Sequence, residues 1–185
     1  MNIPYEVDIT YLEQFCKGLN VAFIYKEVEY VPDEKKSPCF FCSWSRRKVF
    51  YELSKELLIS KIATGHHKDD ALETLFMNMI YHGTYSSLPM QFSMFDGRLQ
   101  FIRPMIELPE DLLVEYAQIK QFPKLKSECI YDKMTKRKKV RAFIEELEEM
   151  NPNAKSNIFK SMSNIIPEYL PGKNHIVTDS KLRPE

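Results

Sequence analysis

Two cysteines, Cys39 and Cys42, stand two residues apart just before a predicted helix. Thiolates at this spacing can hold one metal ion or cluster, and the positive end of a helix stabilises them. The pair fits half a zinc site, part of an iron–sulfur site, a redox pair, or two small buried side chains. Because the sequence has no second Cys-x-x-Cys, the remaining candidate ligands are Cys16, Cys129 and the histidines. Cys16 falls late in a predicted helix, where a core position is expected.

A second group of reactive side chains is the turn Gly65-His66-His67-Lys68-Asp69-Asp70. It follows a short apolar strand and opens a helix, and ligands of open α/β sheets bind at the carboxyl ends of strands. Imidazoles beside paired carboxylates could hold Mg²⁺ or orient a nucleotide. Asp69 is expected to be the N-cap, with Asp70 in the first turn. Capping explains Asp69 but not the two adjacent histidines, so a functional site is favoured.

Positive charge is concentrated in two places, although the formal net charge is zero. Two arginines follow Cys42 closely, and the run Lys133–Arg141 is strongly basic. Arginine suits phosphate recognition because its fork matches two oxygens, while a solvated helix face is the alternative for the later run. The candidate RNA contacts are Arg46, Arg47, Lys136, Arg137 and Lys138.

Length and composition narrow the class of protein. The 185 residues suffice for a domain with a core, and 44% hydrophobic residues is typical of globular chains. No apolar run approaches the roughly 20 residues that span a bilayer, and the N-terminus lacks the features of a signal peptide. We therefore expect a cytoplasmic protein without a membrane contact, with its four cysteines reduced rather than disulfide-bonded.

These residues need elements to position them, and the apolar periodicity predicts an alternation of helices and strands. The order favours an α/β core with a helical C-terminal part, in which the helix Ser43–Leu58 is the right-handed crossover between two strands of one sheet. The predicted elements are a helix Tyr5–Gly18, a strand Val21–Tyr30, the helix Ser43–Leu58, a short buried strand Lys61–Gly65, a helix Asp69–Tyr81, a hairpin Phe92–Ile102 turning at Asp96-Gly97, a helix Pro109–Gln121 ended by Phe122-Pro123, helices over 135–150 and 154–168, and a loose tail from Pro171.

The helical patterns also predict which side chains are buried. They are Leu72, Leu75, Phe76, Met79 and Ile80 in the helix Asp69–Tyr81, Val140, Phe143, Ile144 and Leu147 in the next-to-last helix, and Ile158, Met162, Ile165 and Ile166 in the last.

Taken together, the motifs resemble one known family. They are Cys39-x-x-Cys42 followed by Ser-x-x-Arg-Arg, then Gly65-His-His-Lys-Asp-Asp-Ala-Leu-Glu-Thr-Leu-Phe-Met-Asn-Met, then Ile102-Arg-Pro-Met, and finally Phe122-Pro123 with Cys129. In order and spacing they resemble the tRNA 2-thiocytidine synthetases of the PP-loop ATP-pyrophosphatase superfamily, over about Pro4 to Leu170. The Gly-His-x-x-Asp-Asp element alone indicates only the wider superfamily.

The resemblance implies a partial PP-loop α/β fold, a parallel sheet with flanking helices. It implies that ATP, with Mg²⁺, adenylates a tRNA cytidine, and that sulfur then replaces the activated oxygen through a 4Fe–4S cluster held by three cysteines. Zinc is the alternative metal. The implied residues are Cys39, Cys42 and Cys129 as metal ligands, Cys39, Cys42 and Asp70 as catalytic residues, and Gly65, His66, His67, Asp69 and Asp70 at the nucleotide.

The resemblance also implies partners: tRNA, a sulfur donor such as a cysteine desulfurase, and further copies of the chain. Two other functions stay open. The chain could belong to another PP-loop enzyme that makes 2-thiouridine or lysidine in tRNA, although lysidine chemistry needs no sulfur-carrying cysteines. It could also be a non-catalytic metal- or RNA-binding relative.

One departure from the family is a missing phosphate loop. The family's Ser-Gly-Gly-x-Asp-Ser segment holds pyrophosphate through backbone N–H groups, and no Gly-Gly occurs in this sequence. We therefore expect a fragment, a wrongly placed gene start or one part of a split protein, inactive alone, with weak ATP binding and self-association through exposed sheet edges. The expected organisation is an incomplete PP-loop domain over 1–125, a helical region over 126–170 and a disordered tail over 171–185.

Overall fold

The computed structural model describes residues 5–6, 8–27, 38–123, 126–127 and 136–171. The chain divides into two units, residues 1–141 and 142–185. The α/β class predicted from the sequence is confirmed. In chain order the elements are β1 Tyr5–Glu6, α1 Ile9–Gly18, α2 Pro38–Glu56, β2 Lys61–Ala63, α3 Lys68–His82, β3 Gln91–Met94, β4 Leu99–Ile102, α4 Glu110–Ile119, β5 Lys126–Ser127, α5 Lys136–Met150, α6 Ala154–Ser161 and a 3₁₀ turn Pro167–Tyr169.

The main sheet has three strands in the order β2-β4-β3. Strand β4 runs parallel to β2, with Ile62 opposite Phe101, and antiparallel to β3. The predicted hairpin is confirmed: Met94 pairs with Leu99, and Asp96 and Gly97 both have positive φ in the turn between them. A separate two-stranded sheet joins β1 to β5. The β2–β4 pairing matters for the site because it brings two strand ends to one edge.

The predicted strand Val21–Tyr30 is wrong where it can be examined, because residues 21–27 form no strand, and residues 28–30 lie outside the described part. Val21 and Tyr25 are half exposed. β-branched and aromatic residues form a strand only where a neighbouring strand takes their hydrogen bonds, and within the described residues β2 pairs with β4 alone. The segment is instead tied to α2 by an ion pair between Lys26 and Glu56, 2.7 Å long. Within the described residues, α2 therefore does not connect two strands of one sheet as predicted.

Several predicted boundaries move for local reasons. Helix α1 begins at Ile9, because the Asp8 carboxylate accepts the Tyr11 N–H at 2.9 Å and caps the helix there. Helix α2 begins at Pro38 rather than Ser43, and proline is favourable at the first helical position. The Cys39 and Cys42 positions therefore lie inside the first turns of α2, not before it. Helix α6 ends at Ser161, short of the predicted residue 168.

The core of the first unit is concentrated around the start of α3 and strand β4. The predicted stripe of α3 is buried only in its first half, since Leu72 and Leu75 are inaccessible whereas Met79 and Ile80 are half exposed. The strand β2 is also less buried than predicted, with Lys61 and Ala63 exposed. Among the described residues of this unit, the buried apolar side chains are Ala71, Leu72, Leu75, Leu99, Phe101, Ile106 and Val140.

The second unit holds the remainder of α5 together with α6. Ile144 is buried as predicted, but Phe143, Ile165 and Ile166 are exposed, contrary to the prediction. Lys155 of α6 pairs with Glu148 of α5 at 2.8 Å. None of the helices that the structure describes combines the length and the apolar character needed to cross a membrane. The predicted domain limits at 125/126 and 170/171 remain predictions.

Candidate functional site

The turn between β2 and α3 lies at the edge of the sheet where two parallel strands end. Because β2 and β4 run in the same direction, the residues after Ala63 and after Ile102 meet at this edge. The Thr64 N–H donates to the Ile102 carbonyl at 3.0 Å and closes the junction. The predicted position of Gly65–Asp70 at a strand's carboxyl end is thus found, and Arg103 joins it from β4.

The residue that caps α3 is His67, not Asp69 as the sequence suggested. His67 has an extended backbone with φ −124° and ψ −177°, and its N–H donates to the Asp70 carboxylate at 3.1 Å. Asp70 therefore makes the return bond that is typical of an N-terminal capping box. Two acidic residues in the first turn also match the positive end of the helix dipole.

Asp69 is only 7% exposed and connects two helices. Its Oδ2 accepts the N–H of Glu110, the first residue of α4, at 2.8 Å. The Lys68 N–H, one residue earlier, donates to the Leu108 carbonyl at 2.9 Å. The start of α3 is therefore held against the start of α4. Asp69 thus connects two helices at a position where the sequence predicted a ligand contact.

Glu73 is the most buried ionisable side chain described near the site, at 1% exposure. Arg141 donates from Nε to its Oε1 at 2.7 Å, and the Arg137 Nε lies 2.7 Å from its Oε2. Arg137 also lies 3.6 Å from Asp70, and Arg141 lies 3.3 Å from Glu110. Sequence reasoning missed this cluster. The available signal was a glutamate in the inward stripe of α3 and two arginines four residues apart on α5.

Arg141 shows how strongly this cluster is coupled. Burial acts to lower the pKa of its guanidinium, but the hydrogen bond that it donates to Glu73 and the charges of Glu73, Glu110 and Asp69 outweigh burial and raise that pKa. The arrangement ties α5 to the first turns of α3 through ion pairs.

His66 lies among charges of both signs, those of Asp70, Arg103 and Arg137. Its Nδ1 is 2.9 Å from the Thr64 hydroxyl. Burial lowers the pKa of the imidazole below its usual 6.5, the Asp70 charge opposes this, and the charges of Arg103 and Arg137 lower the pKa further. His66 is therefore neutral at pH 7 and can exchange hydrogen bonds without carrying a charge.

Arg103 belongs to the motif Ile102-Arg-Pro-Met, but the sequence patterns assigned it no role at the site. It is 7% exposed, and one of its terminal nitrogens donates to the Pro89 carbonyl. Burial, and then the charge of Arg47, lowers the pKa of its guanidinium. Its Nε and the Nδ1 of His67 are buried without a hydrogen-bond partner in the described part of the chain. Buried polar atoms of this kind call for a partner. The nearby charge of Arg47 favours an anion at Arg103, whereas His67 faces the carboxylates of Asp69 and Asp70 at 3.8 and 3.4 Å.

The cysteines are described only in part. Positions 39 and 42 lie one turn apart in α2, the Cys42 thiol is free and half-buried, and Cys16 is also a free, half-buried thiol. The side chain of Cys39 and all of Cys129 lie outside the described residues. Among the residues that were described, no three histidine, cysteine or acidic side chains are grouped so that they could hold a metal ion.

The candidate RNA contacts are all exposed. Arg47 donates to the Ser43 hydroxyl at 3.0 Å, and Lys136 lies 4.2 Å from the centre of the Tyr81 ring. Arg137 is ion-paired with Glu73 and also lies 3.6 Å from Asp70. The exposed candidates are Arg46, Arg47, Lys136, Arg137 and Lys138.

Comparison with known proteins decides the family. The PP-loop domain family, ATP_bind_3, matches residues 5–148. The chain belongs to the PP-loop domain family. This confirms the superfamily that the sequence motifs indicated, and it places the strand-end site described above within a PP-loop domain.

The relatives of this PP-loop chain include tRNA-modifying enzymes. It is 37% identical over 166 residues to a tRNA-cytidine(32) 2-sulfurtransferase of Bordetella pertussis, covering 86% of this chain and 52% of the relative. It is 39% identical over 148 residues to a tRNA-cytidine(32) 2-sulfurtransferase of Francisella tularensis subsp. holarctica, covering 80% and 59%. The chain thus spans a little over half the length of these curated relatives.

A solved structure shares the fold. The U34-tRNA thiolase NcsA from Methanococcus maripaludis, determined with its 4Fe–4S cluster, superposes with a TM-score of 0.65 at 26% sequence identity. The match covers 86% of this chain and 56% of that one.

Proposed function

We propose that this PP-loop chain serves ATP-dependent thiolation of a cytidine in tRNA. The observation that carries the proposal is the 37–39% identity to tRNA-cytidine(32) 2-sulfurtransferases over 80–86% of the chain. In this reaction ATP activates the carbonyl of the base as an adenylate, and sulfur then replaces the activated oxygen.

The strand-end site would receive the nucleotide. The unpaired Nε of Arg103 and the charge of Arg47 suit phosphate oxygens. His66 and His67 line the same turn. A Cβ added at Gly65 would meet only Met105, at 3.6 Å, so packing does not require a glycine there. We assign Gly65 to the close approach of a ligand instead.

Asp70 is our candidate for the carboxylate at the reacting groups and at Mg²⁺. Its side chain is 18% exposed against 9% for Asp69, and Asp69 is already bound to α4. In this proposal Asp69 supports the nucleotide site indirectly, by fixing the turn in which Asp70 sits.

Cys39, Cys42 and Cys129 would hold the 4Fe–4S cluster, with zinc as the alternative metal. The donor set fits, because Cys42 is a free thiol in the first turns of α2 and position 39 is one turn away. When bound, a cluster with three cysteine ligands leaves one iron open to carry sulfur. Cys39 and Cys42 would thereby act in catalysis as well as in binding.

The RNA phosphates would bind the exposed basic side chains of Arg46 and Arg47 on α2 and of Lys136 and Lys138 on α5. Arg137 lies between these two lysines in the sequence of α5 and is ion-paired with Glu73 and Asp70. The remaining partners in this proposal are a sulfur donor such as a cysteine desulfurase and a second copy of the chain.

A second candidate is thiolation of uridine, which the fold of the U34-tRNA thiolase favours. The lower identity of 26% to that protein, against 37–39% to the cytidine enzymes, ranks it second. Lysidine formation is disfavoured by the cysteines, and a non-catalytic metal- or RNA-binding role is the remaining alternative.

Deletion of the gene in its own host, followed by mass spectrometry of tRNA nucleosides, separates these functions. Loss of 2-thiocytidine supports the proposal, loss of 2-thiouridine supports the second candidate, and an unchanged nucleoside profile leaves the non-catalytic role. Complementation with Cys42→Ser should fail, whereas Cys16→Ser, which changes a free thiol on α1, should restore the nucleoside.

A further inference from the structure

We propose that Glu73 is a positioning residue that restrains two arginines of α5, so that the helix offers its lysines to RNA and holds Arg137 at Asp70. The inference rests on the proposed function, because it takes tRNA as the ligand of α5. Nothing in the motif pattern requires Glu73 to do more than continue the helix.

The geometry places Glu73 between two guanidinium groups. Arg141 Nε donates to one carboxylate oxygen and Arg137 Nε lies beside the other, each at 2.7 Å. The carboxylate is almost fully buried, whereas the side chains of Arg137 and Arg141 are 50% and 45% exposed. Each arginine thus has one side held by a buried charge and the other side open to solvent.

Arg137 is also shared with the candidate catalytic carboxylate. Its Nη2 lies 3.6 Å from Asp70 Oδ1, and its Nε faces Glu73. A guanidinium can serve two carboxylates at once because its donors point in fixed, different directions. Glu73 therefore sets the direction from which Arg137 approaches Asp70, without itself facing the strand-end site.

The same pairing reduces the charge that α5 presents to RNA. A guanidinium that neutralises a buried carboxylate is not free to replace the counterions of a phosphate. Glu73 thereby lowers the affinity of α5 for RNA and keeps Arg137 oriented. Removal of its charge should release that arginine to RNA.

Glu73→Gln tests this with little change of shape. The amide keeps one oxygen for one arginine but turns N–H donors toward the other, so about one phosphate contact should be gained. One added contact steepens the salt dependence, log K against log salt, by about 0.7 to 0.9. Over a fourfold change in salt this corresponds to about a threefold larger loss of affinity.

The measurement is the affinity of the full 185-residue chain for an unmodified tRNA transcript, by fluorescence anisotropy, between 50 and 200 mM KCl. Glu73→Gln should bind more tightly at low salt with a steeper slope, and adding Arg137→Gln should return the slope to the wild-type value. Glu110→Gln is the matched control. It removes the charge of the second, more exposed carboxylate beside Arg141, and Glu73 still neutralises that arginine. The slope should therefore stay at the wild-type value.

The outcomes separate the two proposals. If the wild type binds tRNA and Glu73→Gln has the wild-type slope, the positioning role is refuted. If the wild type does not bind tRNA at any salt, the proposed function fails and the inference fails with it. Should Glu73→Gln not fold in a thermal melt, Arg137→Gln alone serves instead, because Glu73 and Asp70 already neutralise this arginine. Its loss should leave the slope at the wild-type value, and a slope shallower by about 0.7 to 0.9 refutes the role.

Discussion

The bond from Asp69 to α4 gives a prediction that distinguishes a structural carboxylate from a ligand. Asp69 Oδ2 accepts the Glu110 N–H at 2.8 Å in a setting that leaves its side chain 9% exposed. If this bond is the main role of Asp69, changing the residue should lower the free energy of unfolding rather than remove a contact to a nucleotide. The informative pair of variants is Asp69→Asn and Asp69→Ala.

The magnitudes follow from the chemistry of the acceptor. A hydrogen bond to an ionised group contributes about 1.5 to 3 kcal/mol and a neutral one about 0.5 to 1.5 kcal/mol. Asparagine keeps an oxygen at the same place, so Asp69→Asn should cost about 1 kcal/mol. Alanine leaves the N–H of Glu110 without its partner and should cost about 2 to 3 kcal/mol. In a chain of this size 1 kcal/mol shifts Tm by about 2 to 4 °C.

The assay is urea unfolding followed by circular dichroism, with a thermal melt in parallel. Asp111→Asn is the matched control, because Asp111 lies in the same first turn of α4 but is exposed and bonds only to the neighbouring Leu112 N–H among its described contacts. It should stay within about 0.5 kcal/mol of the wild type. Equal stability of Asp69→Ala and Asp111→Asn would refute the reasoning. Loss of nucleotide binding in such a stable variant would make Asp69 a ligand instead.

Three further outcomes are expected. Anaerobic reconstitution with iron and sulfide should give a brown chain absorbing broadly near about 400 nm. The variants Cys42→Ser and Cys129→Ser should lose the colour, and Cys16→Ser should keep it. A colourless chain with stoichiometric zinc would contradict the cluster. The pKa of His66 lies below its usual 6.5 in the folded chain. As the pH falls past 6.5 the unfolded chain therefore binds a proton first, and the free energy of unfolding decreases. In urea titrations at several pH values His66→Gln should make this decrease less steep, and an unchanged dependence on pH would exclude His66 as its source. Leu72→Ala should cost about 2 to 5 kcal/mol in the same titrations, because Leu72 is fully buried, and a loss below about 1 kcal/mol would contradict its place in the core.

Local signals predicted what local chemistry decides. Asp96-Gly97 specified the hairpin because both residues adopt positive φ there, and the apolar period located α3 to within a residue at each end. The prediction of a strand over residues 21–27 was wrong because a strand depends on a neighbouring strand. No pattern within the segment indicates whether such a neighbour is present. The start of α2 was misplaced because the prediction began the helix at Ser43, whereas Pro38 is its first residue.

The partners of the acidic residues could not be predicted for a different reason. Asp69 binds the backbone of Glu110, forty-one residues away, and Glu73 binds Arg141, sixty-eight residues away. Such pairings depend on how helices pack, and any of several basic residues on α5 would satisfy the same sequence pattern. The types and spacing of residues 65–70 were enough to indicate a site, but they did not assign separate roles to its carboxylates.

The helix period explains how those roles are divided. Residues 69 and 73 are four apart and share one face of α3, while residue 70 is rotated by about 100° from residue 69. The shared face carries the two most buried carboxylates, one holding α4 and the other holding α5. Asp70 points elsewhere, keeps more exposure, and lies within reach of His67 and Arg137 at the strand ends. Two acidic side chains therefore hold α4 and α5 against α3, and the third, Asp70, is the carboxylate that we propose meets a ligand.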